Sequence, residues 1–209
     1  MKNIFIIIVL WFGTNQSFSQ QNVAISEDYE RVIFEVGTLY PIGKLQEQIA
    51  PMPNIGLWYR ARVKGETFAE FGFNTSIMNG LQTFDIQRSD SIFRVKPRGL
   101  GGMVGVRFVK NYRLASRANV EWIPSIGYAF LMHRGELISF ADKNDTRTIT
   151  SATKSGALSG MHLGQGIRLN YDNIGLQIHY QFTPFSVFTK DVPGNFGNQS
   201  LMFGIVYRQ

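Results

Sequence analysis

From residue 31 onwards apolar and polar residues alternate with period two, the mark of strands whose two faces meet different surroundings. Ile174, Leu176, Ile178, Tyr180 and Phe182 share one face, against Gly175, Gln177, His179 and Gln181 on the other. Leu201, Phe203, Ile205 and Tyr207 alternate in the same way with Met202, Gly204, Val206 and Arg208. Ile55, Leu57, Tyr59, Ala61 and Val63 alternate with Gly56, Trp58, Arg60 and Arg62. The pattern predicts eight strands, over residues 31–40, 54–63, 67–77, 101–109, 117–131, 157–170, 174–182 and 200–208.

The connections between these strands alternate in length. Residues 64–66, 110–116 and 171–173 are short turns, whereas 41–53, 78–100, 132–156 and 183–199 are long. If every hairpin crosses one membrane, the long loops lie on one side, with the short turns and both termini on the other. That asymmetry belongs to transmembrane barrels. The prediction is an all-β fold: a single eight-stranded antiparallel up-and-down transmembrane β-barrel.

An eight-stranded barrel has an interior only wide enough to be filled by side chains. The polar face combines glycines (37, 56, 72, 105, 127, 164, 166, 175 and 204) with a few long charged residues. Pairing across the short turns puts Arg60 opposite Glu70 and Arg168 opposite Gln177. A plausible register for strands four and five puts Arg107 opposite Glu121. With Glu35, these residues form a predicted lumen charge network of Arg60, Glu70, Arg107, Glu121, Arg168 and Glu35, in which opposite charges compensate one another. The other face offers lipid Val32, Phe34, Val36, Phe71, Phe73, Val104, Val106, Phe108, Val120, Leu163 and Ile167. Tyr40, Tyr128, Tyr180 and Phe182 at the loop side, with Tyr171 and Tyr207 at the turn side, suit interfacial girdles. Pro124 interrupts the fifth strand, and a bulge there would reverse the facing of Ile126 and Tyr128.

Composition narrows the picture. The chain has 209 residues, 44% hydrophobic and 17% charged, with a mean hydropathy of -0.07. Those values exclude a helical membrane bundle but suit strands that are apolar at every second position. The absence of cysteine excludes disulfides, thiolate metal sites and a lipidated N-terminal cysteine. Residues 1–19 read as a secretory signal peptide: Lys2, a short apolar run from Ile4 to Phe12, and the small-x-small site Ser17-Phe18-Ser19. The barrel domain would then be residues 20–209. The net charge of +6 suits anionic lipid head groups better than nucleic acid, which an exported protein seldom meets.

Taken with Phe34-Glu35-Val36-Gly37-Thr38-Leu39-Tyr40-Pro41, Pro124-Ser125-Ile126-Gly127-Tyr128 and the closing Ile205-Val206-Tyr207-Arg208-Gln209, the pattern resembles the outer-membrane β-barrel (porin-like) family of Gram-negative bacteria. The resemblance implies an integral protein of the cell outer membrane, inserted by the barrel assembly machinery. It departs from the commonest form in ending on Gln209 rather than Phe.

Candidate chemistry is sparse. His133, Ser139 and Asp142 could form a lipid A acyltransferase-like site. His162 and His179 are better read as hydrogen-bonded lumen groups than as metal ligands. No cofactor is expected. Arg88, Arg94, Lys96 and Arg98 in the second long loop are candidates for binding lipopolysaccharide phosphates, and Lys143, Arg147 and Lys154 add charge in the third. The favoured function is a non-enzymatic barrel with a structural or interaction role, its partners being outer-membrane lipid, lipopolysaccharide and other outer-membrane proteins. An accessory subunit of a secretion or assembly complex, a narrow channel and a lipid A-modifying enzyme are the alternatives; a soluble lipocalin-like barrel fits the paired Arg and Glu poorly.

Overall fold

The computed structural model describes residues 31–88, 91–140, 153–188, 192 and 196–209. The signal peptide assigned to residues 1–19, Asp142, Lys143 and Arg147 lie outside them. The strands are β1 (Arg31–Ile42), β2 (Met52–Lys64), β3 (Thr67–Asn79), β4 (Phe84–Arg88), β5 (Ser91–Arg113), β6 (Ala118–Phe140), β7 (Thr153–Tyr171), β8 (Ile174–Phe182) and β9 (Gln199–Arg208). Two single-turn helices, α1 (Leu45–Gln48) and α2 (Phe185–Phe188), lie in the first and last long connections.

Neighbouring strands pair antiparallel in the order β3-β2-β1-β9-β8-β7-β6-β5, and β3 also pairs with β5. That last pairing closes the ring, so the barrel is eight-stranded and has no sheet edge along its wall. The ninth strand, β4, is not part of the wall; it folds back on the upper part of β5, with Phe84 opposite Val95 and Arg88 opposite Ser91.

Short turns fix register, and the two registers read from them are present: Arg60 opposite Glu70, and Arg168 opposite Gln177 with Leu169 opposite Leu176. The register expected between strands four and five is not. Arg107 faces Ser125, and Glu121 faces Asn111. The slip is an even number of residues, so every side chain keeps its face while its partner changes. Pro124 causes no reversal either. Its pairing with Gln165 on β7 is regular, and Ile126 and Tyr128 remain exposed. The β5–β6 ladder lapses beside it, between the Arg107–Ser125 and Lys110–Trp122 pairs, because proline has no N–H to donate.

Alternation predicts loops over 78–100 and 132–156, but much of their length is strand. β5 and β6 each run for 23 residues, about twice the 9–11 that cross a bilayer. β7 continues to Thr153, beyond its last pairing with β8 at Leu163–Phe182. Together with β4 these strands form a blade that rises about 20 Å past the barrel rim, at ~3.3 Å per residue. At its base β5 carries extra residues between Pro97 and Gly101, where Gly99 adopts φ +108.

Candidate functional site

The wall turns its greasy side outwards. Val36 is 63% exposed, Ile55 58%, Val104 55% and Ile167 59%, whereas Arg107, Glu70, Glu121 and Arg168 are 0% exposed. In water this arrangement would forfeit the hydrophobic effect and bury charge; in hydrocarbon both costs reverse. Tyr40 and Tyr128 at the loop side and Tyr171 and Tyr207 at the turn side are exposed, as interfacial girdles require. Tyr180 and Phe182 are only half-buried.

The predicted lumen network forms as a single cluster. Arg60, Glu70 and Arg107 stand in one row across β2, β3 and β5. Glu121, Arg168 and Gln177 form a second row across β6, β7 and β8. The rows interlock across the lumen. Arg60 Nη1 donates to Glu121 Oε1 at 2.7 Å and its Nη2 to Glu70. Arg168 Nη1 donates to Glu70 Oε1 at 3.0 Å and to Glu121 Oε2 at 2.9 Å, and its Nη2 reaches Glu35 Oε1 at 3.1 Å. Arg107 pairs with Glu35 instead of Glu121, and its guanidinium lies 3.6 Å from the Trp58 ring. Trp58 Nε1 donates to Glu35 Oε2 at 3.2 Å. Sequence reasoning missed Arg208, which donates to Glu121 Oε1 at 3.2 Å and to the Asp172 carbonyl at 2.6 Å. Its inward parity on the last strand was the available signal.

Above the cluster, Ser125 Oγ lies 3.3 Å from His162 Nε2 and 3.2 Å from His179 Nε2. One hydroxyl can donate to one imidazole and accept from the other, so both histidines are held as lumen groups. Among the described residues no three His, Cys, Asp or Glu side chains could hold a metal. A cavity of about 60 Å³, lined by Asn74, Ser76, His162 and Thr183 among others, separates this layer from the rim. Ligand pockets are larger, roughly 300 Å³ upwards.

The rim itself is closed by an apolar cap that sequence patterning did not show. Leu45, Ile49, Met52, Met78, Ile86, Val95, Leu131, Leu158, Phe185, Val192 and Phe196 pack into one buried cluster. The Phe196 ring meets Phe84 edge-on at 5.0 Å and Phe185 at 6.1 Å. Gly197, at φ +93, follows so close that a Cβ would sit 2.3 Å from Leu45 N. Phe196→Ala is expected to cost about 3–5 kcal/mol of cap packing. Limited proteolysis should then cut the connections near β4 and α2, while the membrane-embedded wall stays resistant.

The rim-side cations divide into two groups. Arg94 Nε donates to Asp85 Oδ1 at 3.0 Å and Nη2 to Oδ2 at 3.3 Å, and Glu136 stands opposite on β6. Arg94 is therefore already compensated. Arg88 ends β4, opposite Ser91. Lys96 and Arg98 are exposed on the outward face of β5, directly beyond Leu100. Opposite Lys96 lies Arg134, exposed beyond Met132, a residue that sequence patterning does not single out. On its other side Arg134 pairs with Ser155, and Glu136 follows two residues on along the same exposed face. Of the acyltransferase-like candidates, His133 and Ser139 are not brought together: His133 is buried inside β6 with its ring against Gly156, and Ser139 is about 20 Å further along the strand.

No family model and no curated relative matches the chain. Solved structures with a similar chain path include Ail, the attachment invasion locus protein of Yersinia pestis, in complex with the heparin analogue sucrose octasulfate. It is 13% identical, the match covers 87% of this chain and 99% of that one, and the TM-score is 0.47. A major outer membrane protein from Thermus thermophilus is also 13% identical, over 88% of this chain and 100% of that one, with a TM-score of 0.45. A closed eight-stranded ring, an apolar belt bounded by tyrosines and charges locked in the lumen together make this chain a small β-barrel of the outer-membrane type.

Proposed function

We propose that this protein is a non-enzymatic interaction barrel whose rim holds the phosphates of outer-leaflet lipopolysaccharide. The observation that carries the reading is the Lys96–Arg134 cross-strand pair. Like charges directly opposite each other destabilise a sheet; Glu136, two residues beyond Arg134 on the same face, stands opposite Arg94, and no ion pair to Lys96 or Arg134 is found among the described residues. An anion bridging both removes that cost. Their position fits, because the outward face of β5 and β6 changes from apolar to cationic at Leu100 and Met132, the level where a hydrocarbon layer gives way to phosphate. Arg98 extends the patch.

The short turns, Arg31 and Gln209 lie at the opposite end, which this reading assigns to the periplasm, with the blade outside the cell. Export through a signal peptide and insertion by the barrel assembly machinery belong to the same proposal. Other outer-membrane proteins are further candidate partners, and no nucleic acid or cofactor is involved.

The test uses purified protein and lipopolysaccharide at several salt concentrations. At roughly 1 kcal/mol per cation near an anionic surface, Lys96→Ala with Arg134→Ala should weaken binding by at least about tenfold and flatten its salt dependence. Arg94→Ala, at the acid-paired site, should change little. Unaltered affinity in the double variant would sink the proposal.

A further inference from the structure

The lipid-facing surface carries one side chain that hydrocarbon cannot satisfy. Along β7 the outward positions run Leu169, Ile167, Gln165, Leu163 and Met161, all exposed. Gln165 is the middle of the five, flanked on both sides by exposed apolar residues, so its amide stands within the apolar belt. Its cross-strand neighbours, Pro124 on β6 and Tyr180 on β8, share its outward face and are half-buried. No hydrogen bond to the Gln165 side chain is found among the described residues. A second, independent polar defect adjoins it, the lapse in the β5–β6 ladder beside Pro124. Polar groups exposed to hydrocarbon are costly and mark contacts.

We propose that the outer face of β6, β7 and β8 around Gln165 is the interface of a homodimer formed within the membrane. The occupant is argued from the chemistry of the amide. A primary amide has both donors and an acceptor. Two copies related by a two-fold axis can therefore each donate to and accept from the other. A two-fold interface brings the same residue of both copies together at its axis. A carboxylate or an ammonium could not pair with itself in this way. The surroundings complete the surface: Ile126, Ile167 and Ile178 are exposed apolar neighbours, and Pro124 adds a face without a donor. This patch is separate from the cationic rim, so lipopolysaccharide binding and dimerisation can fail independently.

The chain has no cysteine, which makes the test direct. Ile167→Cys in otherwise unaltered protein, reconstituted in liposomes, should cross-link to a dimer under mild oxidation. Native mass spectrometry from mild detergent should show the same species in protein without the cysteine. Adding Gln165→Leu should weaken dimerisation by about tenfold, the effect of losing two weak hydrogen bonds in a bilayer. Heat-modifiable migration in gels should be unchanged, showing an intact barrel. A monomer in both assays, a cross-link of Ile167→Cys to a different protein in native membranes, or a dimer indifferent to Gln165→Leu would overturn the inference.

Discussion

Replacing Glu70 by alanine should abolish the stably folded barrel. Glu70 is 0% exposed and lies between Arg60 and Arg168, with Arg107 also within 3.7 Å. Each guanidinium keeps its charge at any accessible pH, so the substitution leaves four buried cations, Arg60, Arg107, Arg168 and Arg208, with two remaining carboxylates, Glu35 and Glu121. Removing one partner of a buried pair costs about 3–5 kcal/mol, and here the orphaned charges also repel one another. Urea titration of protein refolded into lipid vesicles should show the midpoint collapse. Gln165→Leu, on the other face of the wall, should leave it near the parent value. Equal midpoints for the Glu70→Ala and parent proteins would mean that the cluster does not hold the lumen together.

The second large effect is predicted at Gly72. It pairs with Trp58 on β2 and Gly105 on β5, and Gly105 pairs in turn with Gly127 on β6. Three adjacent strands thus present bare backbone to the lumen, beside the fully buried Trp58 indole. A Cβ on Gly72 would lie 2.1 Å from the Leu57 carbonyl oxygen and 2.8 Å from Trp58 Cα. Both are backbone atoms of the neighbouring strand, so relief requires β2 to move within a closed ring. Gly72→Val should cost at least about 3 kcal/mol and leave little heat-modifiable product. Gly160→Ala is the contrast, because its new Cβ would meet nothing closer than 3.5 Å and should fold normally.

These two sites show where the sequence was readable. Alternation gave the number of wall strands and the facing of each residue, because the side-chain period is two and one face must be apolar. Tight turns gave the β2–β3 and β7–β8 registers. The β5–β6 connection is longer, and Pro124 removes a ladder bond beside it, so nothing local pinned that pair. Arg107 consequently finds Glu35 across the lumen, a contact that no hairpin rule could supply. The blade was missed because its strands carry charges such as Arg94, Lys96, Arg134 and Glu136, which read as loop. The cap was missed because Leu45, Ile86, Phe185 and Phe196 come from four separate segments, each too short to show a period. Arg134 joined Lys96 only once the register was known.

The central claim is that the apolar face meets hydrocarbon while the charge cluster is shut inside. The protein's tryptophans report on it. Trp11 falls within the proposed leader, Trp58 is 0% exposed in the lumen, and Trp122 is 42% exposed on the outer wall. Residues 20–209 refolded into vesicles with brominated acyl chains should lose most Trp122 fluorescence when Trp58→Phe leaves it as the sole emitter. With Trp122→Phe, emission from Trp58 should be nearly unquenched. Strong quenching of Trp58 with little of Trp122, or a protein that stays folded and monodisperse in detergent-free buffer, would contradict the account.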